Sequence, residues 1–160
     1  MQRILTLAGL ALLLAWGACT VWRKLESDET QIRRLIAESA QGFNAGRPGT
    51  AVEPLAETWW DRTNGIHKDT LHQILVAMVF QDKDAHGRFL WEVDVPDDRL
   101  TVEVRDDRTA RATLEAAFAR KRGDEREPMW SIAIDAELRD GDDGWEVVAT
   151  QHRTLSGGKR

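Results

Sequence analysis

Residues 100–118 read LTVEVRDDRTARATLEAAF. Leu100, Val102 and Val104 alternate with Thr101, Glu103 and Arg105. After the charged break Arg105-Asp106-Asp107-Arg108 the alternation resumes with Ala110, Ala112, Leu114, Ala116 and Phe118. A period of two sends successive side chains to opposite faces of a sheet. Two such runs around a short charged turn make an antiparallel hairpin with one dry and one wet face.

The same pattern extends on both sides. Phe89, Trp91, Val93 and Val95 alternate with Leu90, Glu92 and Asp94, and Pro96-Asp97-Asp98 closes that strand. Lys121 to Glu127 reads as a charged connection. Trp130, Ile132, Ile134, Ala136 and Leu138 then alternate with Ser131, Ala133, Asp135 and Glu137. Asp140 to Gly144 is a turn, and Trp145, Val147 and Ala149 begin a last strand that continues toward Leu155. Ser156 to Arg160 is a polar, flexible tail.

Upstream the period changes to that of helices. Ser27 or Asp28 supplies an N-cap. Ile32, Leu35, Ile36, Ala40 and Phe43 follow at mostly three- and four-residue spacing, which is one apolar face. Asn44-Ala45-Gly46 ends this helix, and Arg47-Pro48-Gly49 cannot continue it. A second, short helix is expected from Thr50 to about Trp60, with Val52, Leu55, Ala56 and Trp59 inward. Asn64-Gly65 marks a turn. A third helix is expected from Asp69 or Thr70, with Thr70 and Gln73 as a capping box. Its apolar stripe is Leu71, Ile74, Leu75, Met78 and Val79, and it ends between Gln81 and Gly87. Helices first and strands after them argue for an α+β layer with the helices on one face of an antiparallel sheet.

This order resembles the nuclear transport factor 2-like superfamily, also called SnoaL-like or ketosteroid-isomerase-like. The segments that carry the resemblance are Val104 to Ala112, which looks like the family's central hairpin, and Asp142-Asp143-Gly144-Trp145-Glu146-Val147, which looks like its last hairpin. The resemblance spans about Ser27 to Leu155. It implies a cone-shaped, cystatin-like α+β fold: three N-terminal helices packed on a curved, mostly antiparallel sheet around an apolar cavity. It also implies that many members pair through the outer sheet face. It assigns no chemistry, because the fold hosts isomerases, dehydratases, binding proteins and scaffolds.

The amino terminus reads as an address. Ile4 to Trp22 is nineteen residues without a charge, preceded by Arg3 and followed by Arg23-Lys24. It is long enough to cross a bilayer as a helix. It also has the basic start, apolar centre and small-residue end of a secretory signal. Gly17-Ala18-Cys19 resembles the end of a bacterial lipobox, with Trp16 where Leu is usual. That resemblance makes Cys19 a lipidation site, and an uncleaved anchor is the other reading. Residues 1–24 are thus signal peptide or anchor, 25–155 the folded domain and 156–160 the tail. Either form of tether places the domain in the bacterial cell envelope, outside the cytoplasmic membrane. Of 22 basic residues three lie in the address, so 19 face 27 acids and the remainder carries a formal charge of −8. Such a domain repels phosphate backbones, and nucleic acid is not an expected partner. One cysteine excludes an internal disulfide and a cysteine-cluster metal site.

The candidate site follows from phase and from what is missing. The isomerases that the chain resembles use an Asp base with a Tyr or a protonated Asp as oxyanion donor, and this chain has no Tyr. The apolar strand phase (Trp91, Val93, Val102, Val104, Ala112, Leu114, Phe118, Ile132, Ile134 and Val147) offers no buried carboxylate for acid–base work. Gln151 and Arg153 share the phase of Val147 and Ala149. They are read as ligand contacts at a cavity mouth or as an edge strand losing its alternation. His67, near Asp61 and Arg62, is either a pocket-rim base or a solvated capping residue. His72 and His86 read as solvated and His152 as outer phase. No spacing fits a metal. Trp59, Trp91, Trp130 and Trp145 read as core. Trp60 is packing or a ligand wall, and Phe43, Trp60 and Met78 would line an apolar cavity.

The expected function is a non-catalytic, membrane-tethered domain that binds a protein partner or an apolar small molecule, without cofactor or metal. The alternative is a SnoaL-like isomerase, dehydratase or hydrolase acting on a small apolar substrate with Asp61 or His67 as base. Small outer-phase residues Thr113, Ala117, Ala119 and Ala133 lead to the expectation of a homodimer.

Overall fold

The computed structural model describes residues 26–123 and 125–157. The address, Cys19 and residues 158–160 lie outside the described residues. Among the described residues no helix is long and apolar enough to cross a membrane.

Helix α1 spans Asp28–Asn44. Ser27 is its N-cap, accepting from the Thr30 amide at 3.3 Å, and Asp28 and Glu29 complement the positive helix end. Helix α2 is only Pro48–Val52, and strand β1 follows at Leu55–Asp61. The helix expected to reach Trp60 therefore stops at Val52, more than two turns earlier. Pro54 lacks an N–H, and Thr58-Trp59-Trp60 are residues that favour a pleated surface. The Pro54 carbonyl instead accepts from the Val147 amide at 2.9 Å. Strand β2 is the short Ile66–His67, joined to β1 by the expected turn, in which Gly65 has φ +67° and donates to the Asp61 carbonyl.

Helix α3 spans Lys68–Gln81. Its N-cap is His67, which makes no capping hydrogen bond, so Thr70 and Gln73 lie inside the helix and form no capping box. The strands are β3 Trp91–Asp94, β4 Thr101–Val104, β5 Thr109–Arg122, β6 Glu125–Gly141 and β7 Gly144–Gly157. The expected connection Lys121–Glu127 is almost wholly strand, with Lys121 paired to Arg126 and Arg122 to Glu125. Likewise β7 takes in Ser156 and Gly157 of the expected tail.

The sheet runs β2-β1-β7-β6-β5-β3, with β4 also beside β5. Every pairing is antiparallel except β1 with β7. Bulges interrupt the ladders at Phe118/Ala119, Ser131/Ile132 and Glu137/Leu138, and bulges bend and twist strands. The result is an open, curved, mixed sheet with the helices on one face.

Two clusters fill the helical face. At one end Ile32 of α1 is fully buried against Trp59, Leu100, Ala112, Leu114, Leu138, Trp145 and Val147. The Trp145 indole donates to Asp28 at 3.2 Å and ties the last hairpin to the first helical turn. At the other end Phe43 meets Phe89 and Phe118 edge-on, and Phe118 stacks on Trp130 with ring centres 4.8 Å apart. Asn44 locks α1 to edge strand β3, accepting from the Val93 amide at 2.7 Å and donating to the Val93 carbonyl at 2.9 Å.

Helices α1 and α2 cross closely at Gly42. A Cβ placed there would stand 2.7 Å from the Ala51 nitrogen. Gly42→Ala is therefore expected to destabilise the fold by about 1–3 kcal/mol through overpacking. Urea denaturation followed by tryptophan fluorescence measures this, and an unchanged midpoint would contradict the crossing.

Candidate functional site

Directly opposed residues on neighbouring strands share a face. Leu138 opposes Val147, Ala136 opposes Thr150 and Ile134 opposes His152, so all six side chains stand on the helical face. Between Val147 and Ala149 the register slips by one, with Val148 as the extra residue of β7. That bulge inverts the expected phase. His152, read as outer, faces inward. Gln151 and Arg153, read as inward, stand on the open face opposite Asp135 and Ala133.

On that open face they come together. A cleft of about 430 Å³ is lined by Thr63, Arg99, Thr113, Glu115, Ala133, Asp135, Gln151 and Arg153, with Leu114, Ile134 and His152 beneath. Thr113 and Ala133, the small residues expected to permit sheet pairing, leave room between longer neighbours. A second cleft of about 130 Å³ adjoins it and shares Asp135 and Gln151. Its other lining residues are Arg62, Arg105, Arg111 and Glu137. Arg62 grips Glu137 in a fork, with N–O distances of 2.8 and 2.6 Å, and Arg111 grips Asp135 the same way. Gln151 adds a donor to Asp135 at 3.4 Å. Arg99 lies 3.7 Å from Glu115. The hydrogen bonds from Arg111, more than its charge alone, hold the Asp135 carboxyl below the usual carboxylate range. Those from Arg62 do the same for Glu137, and both guanidiniums are raised in return.

The inward candidates do not form one site. Phe43 belongs to the aromatic cluster, and Met78 is half-buried on the inner side of α3. Trp60, 49% exposed, opposes Ala149 and so stands on the open face. The joint wall of Phe43, Trp60 and Met78 is not assembled. His67 is exposed at the start of α3, with Nδ1 3.3 Å from the Trp59 carbonyl and its ring beside Trp60. Asp61 is 3% exposed, and its carboxylate accepts from the Thr63 and Asn64 amides and from the Asn64 side chain. It therefore serves first as the clasp of the β1–β2 turn. His152 Nδ1 lies 3.4 Å from Asp61, a pair that strict alternation on β7 hides. The Trp59 indole N–H is buried without a partner. Among the described residues no group of three or more His, Cys, Asp or Glu is placed to hold a metal.

Helix α3 is the other unusual element. Ile74 to Phe80 is an unbroken apolar run, IleLeuValAlaMetValPhe. Leu71, Leu75, Met78 and Val79 turn inward, yet no residue of the helix is fully buried. It leans on α2, β1 and β2 rather than on the long strands. Lys68 ties its start to the Leu55 carbonyl at 2.7 Å. Asp82, just past its end, accepts from Trp91 at 3.0 Å and Arg120 at 2.8 Å. Its outer side leaves Ile74 and Val76 each 44% and Phe80 82% exposed.

Solved structures share this architecture. A protein from Novosphingobium aromaticivorans described as nuclear transport factor 2-like with a cystatin-like fold superposes with a TM-score of 0.64 at 19% identity, over 88% of this chain and 90% of that one. The chain has the cystatin-like fold of nuclear transport factor 2-like proteins. A nuclear transport factor 2-like protein of unknown function in nutrient uptake from Rhodospirillum rubrum matches this cystatin-like fold at 15% identity and TM-score 0.57, over 78% of this chain and 98% of that one. A putative aromatic ring hydroxylase from Novosphingobium aromaticivorans matches at 12% identity and TM-score 0.60, over 81% of this chain and 90% of that one. At these identities the likeness is one of fold. No protein-family model matches the chain, and no curated protein matches it.

The open-face ion pairs have a pH signature. A carboxyl whose folded pKa is depressed stabilises the fold above its ordinary value and loses that contribution as pH falls through the folded value. Asp135 is expected to titrate below 3.8, and Arg111→Ala to return it toward 3.8. NMR titration of its carboxyl carbon reads both, and an unshifted Asp135 would contradict the pairing.

Proposed function

We propose that the chain is a membrane-tethered, extracytoplasmic binding domain, not a catalyst, and that the outer side of α3 is its binding face. The observation that supports this is the apolar run Ile74–Phe80 on a helix with only one side against the protein. A helix apolar on all sides ordinarily lies buried, and an exposed apolar patch marks an interaction site. Covering Ile74, Val76 and Phe80 is worth about 4–6 kcal/mol before the costs of association. That is enough for a partner's apolar surface to hold, and there is no polar group on these side chains to orient a reacting atom. The tether rests on the uncharged run Ile4–Trp22 and on Gly17-Ala18-Cys19.

The test is photo-crosslinking in cells from a benzoylphenylalanine placed at position 80. A discrete adduct is expected, lost when Val76→Asp is added and absent from a probe at Glu29 on the exposed side of α1. No adduct, or equal labelling from both positions, would overturn the reading. The tether is read separately by metabolic labelling with an alkyne fatty acid. Label lost in Cys19→Ser marks lipidation, and membrane retention without label marks an uncleaved anchor. A chain recovered wholly in the soluble fraction would contradict both.

A second reading, acid–base catalysis, has one observation in its favour: the buried Asp61 beside His152. Turnover by the protein that vanishes in both Asp61→Asn and His152→Gln, with thermal stability kept, would replace the binding reading.

A further inference from the structure

The two adjoining clefts of the open face gather guanidiniums on a chain that is acidic as a whole. Five guanidiniums line them, those of Arg62, Arg99, Arg105, Arg111 and Arg153. Three carboxylates, Glu115, Asp135 and Glu137, line them too. Asp98 beside Arg99 and Glu103, level with Arg111 across β4 and β5, bring the region close to neutral on a chain whose formal net charge is −5. Self-pairing neutralises the middle, where Arg62 holds Glu137 and Arg111 holds Asp135. Arg99 is shared with Glu115 and Asp98, each 3.7 Å away. Arg105 and Arg153 remain. Among the described residues neither has a carboxylate within 4.0 Å.

These two cations stand at opposite ends. Arg153 is level with Ala133 of β6, and Arg105 follows Val104, whose partner Ala110 is level with Leu138. Five residues of β6 separate those levels, about 17 Å of strand. Both side chains are long enough to lean over the trough between them. Within it the polar groups outside the ion pairs are uncharged, the Gln151 amide, which also donates to Asp135 at 3.4 Å, and the Thr113 hydroxyl. Guanidinium forks match carboxylate and phosphate oxygens.

We propose that this open face binds an elongated organic dianion, with one anionic group at Arg153, one at Arg105 and a neutral middle over Thr113 and Gln151. Spaced charges at the ends and self-neutralised pairs between them fit such a ligand better than a compact anion. This site is independent of α3.

The test is calorimetric titration of the full chain in nonionic detergent at low ionic strength. The probes are linear α,ω-dicarboxylates of four and nine carbons and inorganic phosphate. Saturable binding of the nine-carbon probe is expected, at least tenfold tighter than that of the other two. Arg153→Ala and Arg105→Ala should each weaken it about tenfold and reduce its salt dependence. Arg122→Ala is the matched control, since Arg122 lies at the far hairpin tip beside Glu127 at 3.6 Å. Thermal melts confirm that each variant is folded. No saturable binding, equal affinity for all three probes, or an equal loss in Arg122→Ala would overturn the proposal.

Discussion

Every side of this molecule is set by the ladder between β5 and β6, which runs without a gap in pairing from Thr109↔Arg139 to Phe118↔Trp130. The side-chain period of a strand is two, so one register decides which residues meet helices and which meet solvent. On the helical face it lines up Ala110, Ala112, Leu114 and Ala116 with Leu138, Ala136, Ile134 and Ile132. On the other face it sets Arg111 against Glu137 and Thr113 against Asp135. The small inward residues let α1 approach until Ile32 is wholly excluded from water. The outward ones let guanidiniums and carboxylates reach across strands to the forks that hold the open face together.

Much of this was legible in the sequence. Local alternation located both arms of the central hairpin, the last hairpin and the core residues Trp91 and Trp145, and three- and four-residue spacing located α1 and α3. Two kinds of feature were not legible. Strand β1 continues a helix-compatible spacing that starts at Val52 and runs through Leu55, Ala56 and Trp59. Its identity comes from a long-range partner, β7, that no local window contains. The second kind is the bulge. Val148 looks like any other valine in an alternating run, yet as one unpaired residue it exchanges the faces of everything after it. Polarity marks Gln151 and Arg153 as a pair, and strict alternation assigns them to the wrong side. The same slip hides His152 beside Asp61. Arg62, Arg99 and Arg105 gave no local signal at all, since a charged residue in a turn reads as solvated wherever it lies.

The two faces also divide the chemistry. The helical face is closed at one end by Ile32, Leu138 and Trp145 and at the other by the Phe43–Phe118–Trp130 stack, with Asn44 and Asp82 pinning α1 and α3 to β3 and β5. Apolar surface left over is carried outward on α3. Polar capacity is carried on the open sheet, where most charges answer one another. Shape on this fold is thus shared with proteins of low identity, and a shared shape leaves the surface chemistry free to differ. That is the expected division when a scaffold hosts unrelated functions.

The parallel pairing of β1 with β7 has a temporal meaning. Residues 55–61 find their principal neighbour only in residues 147–150, about ninety residues further along the chain. Until then β1, the β2 turn and the start of α3 have no sheet to join. Closing a loop of that length is slow compared with forming the local hairpins. A chain that has not yet formed β7 therefore carries the inner apolar side of α3 uncovered. Disruption of residues 147–150 would thereby unseat an element encoded about ninety residues earlier.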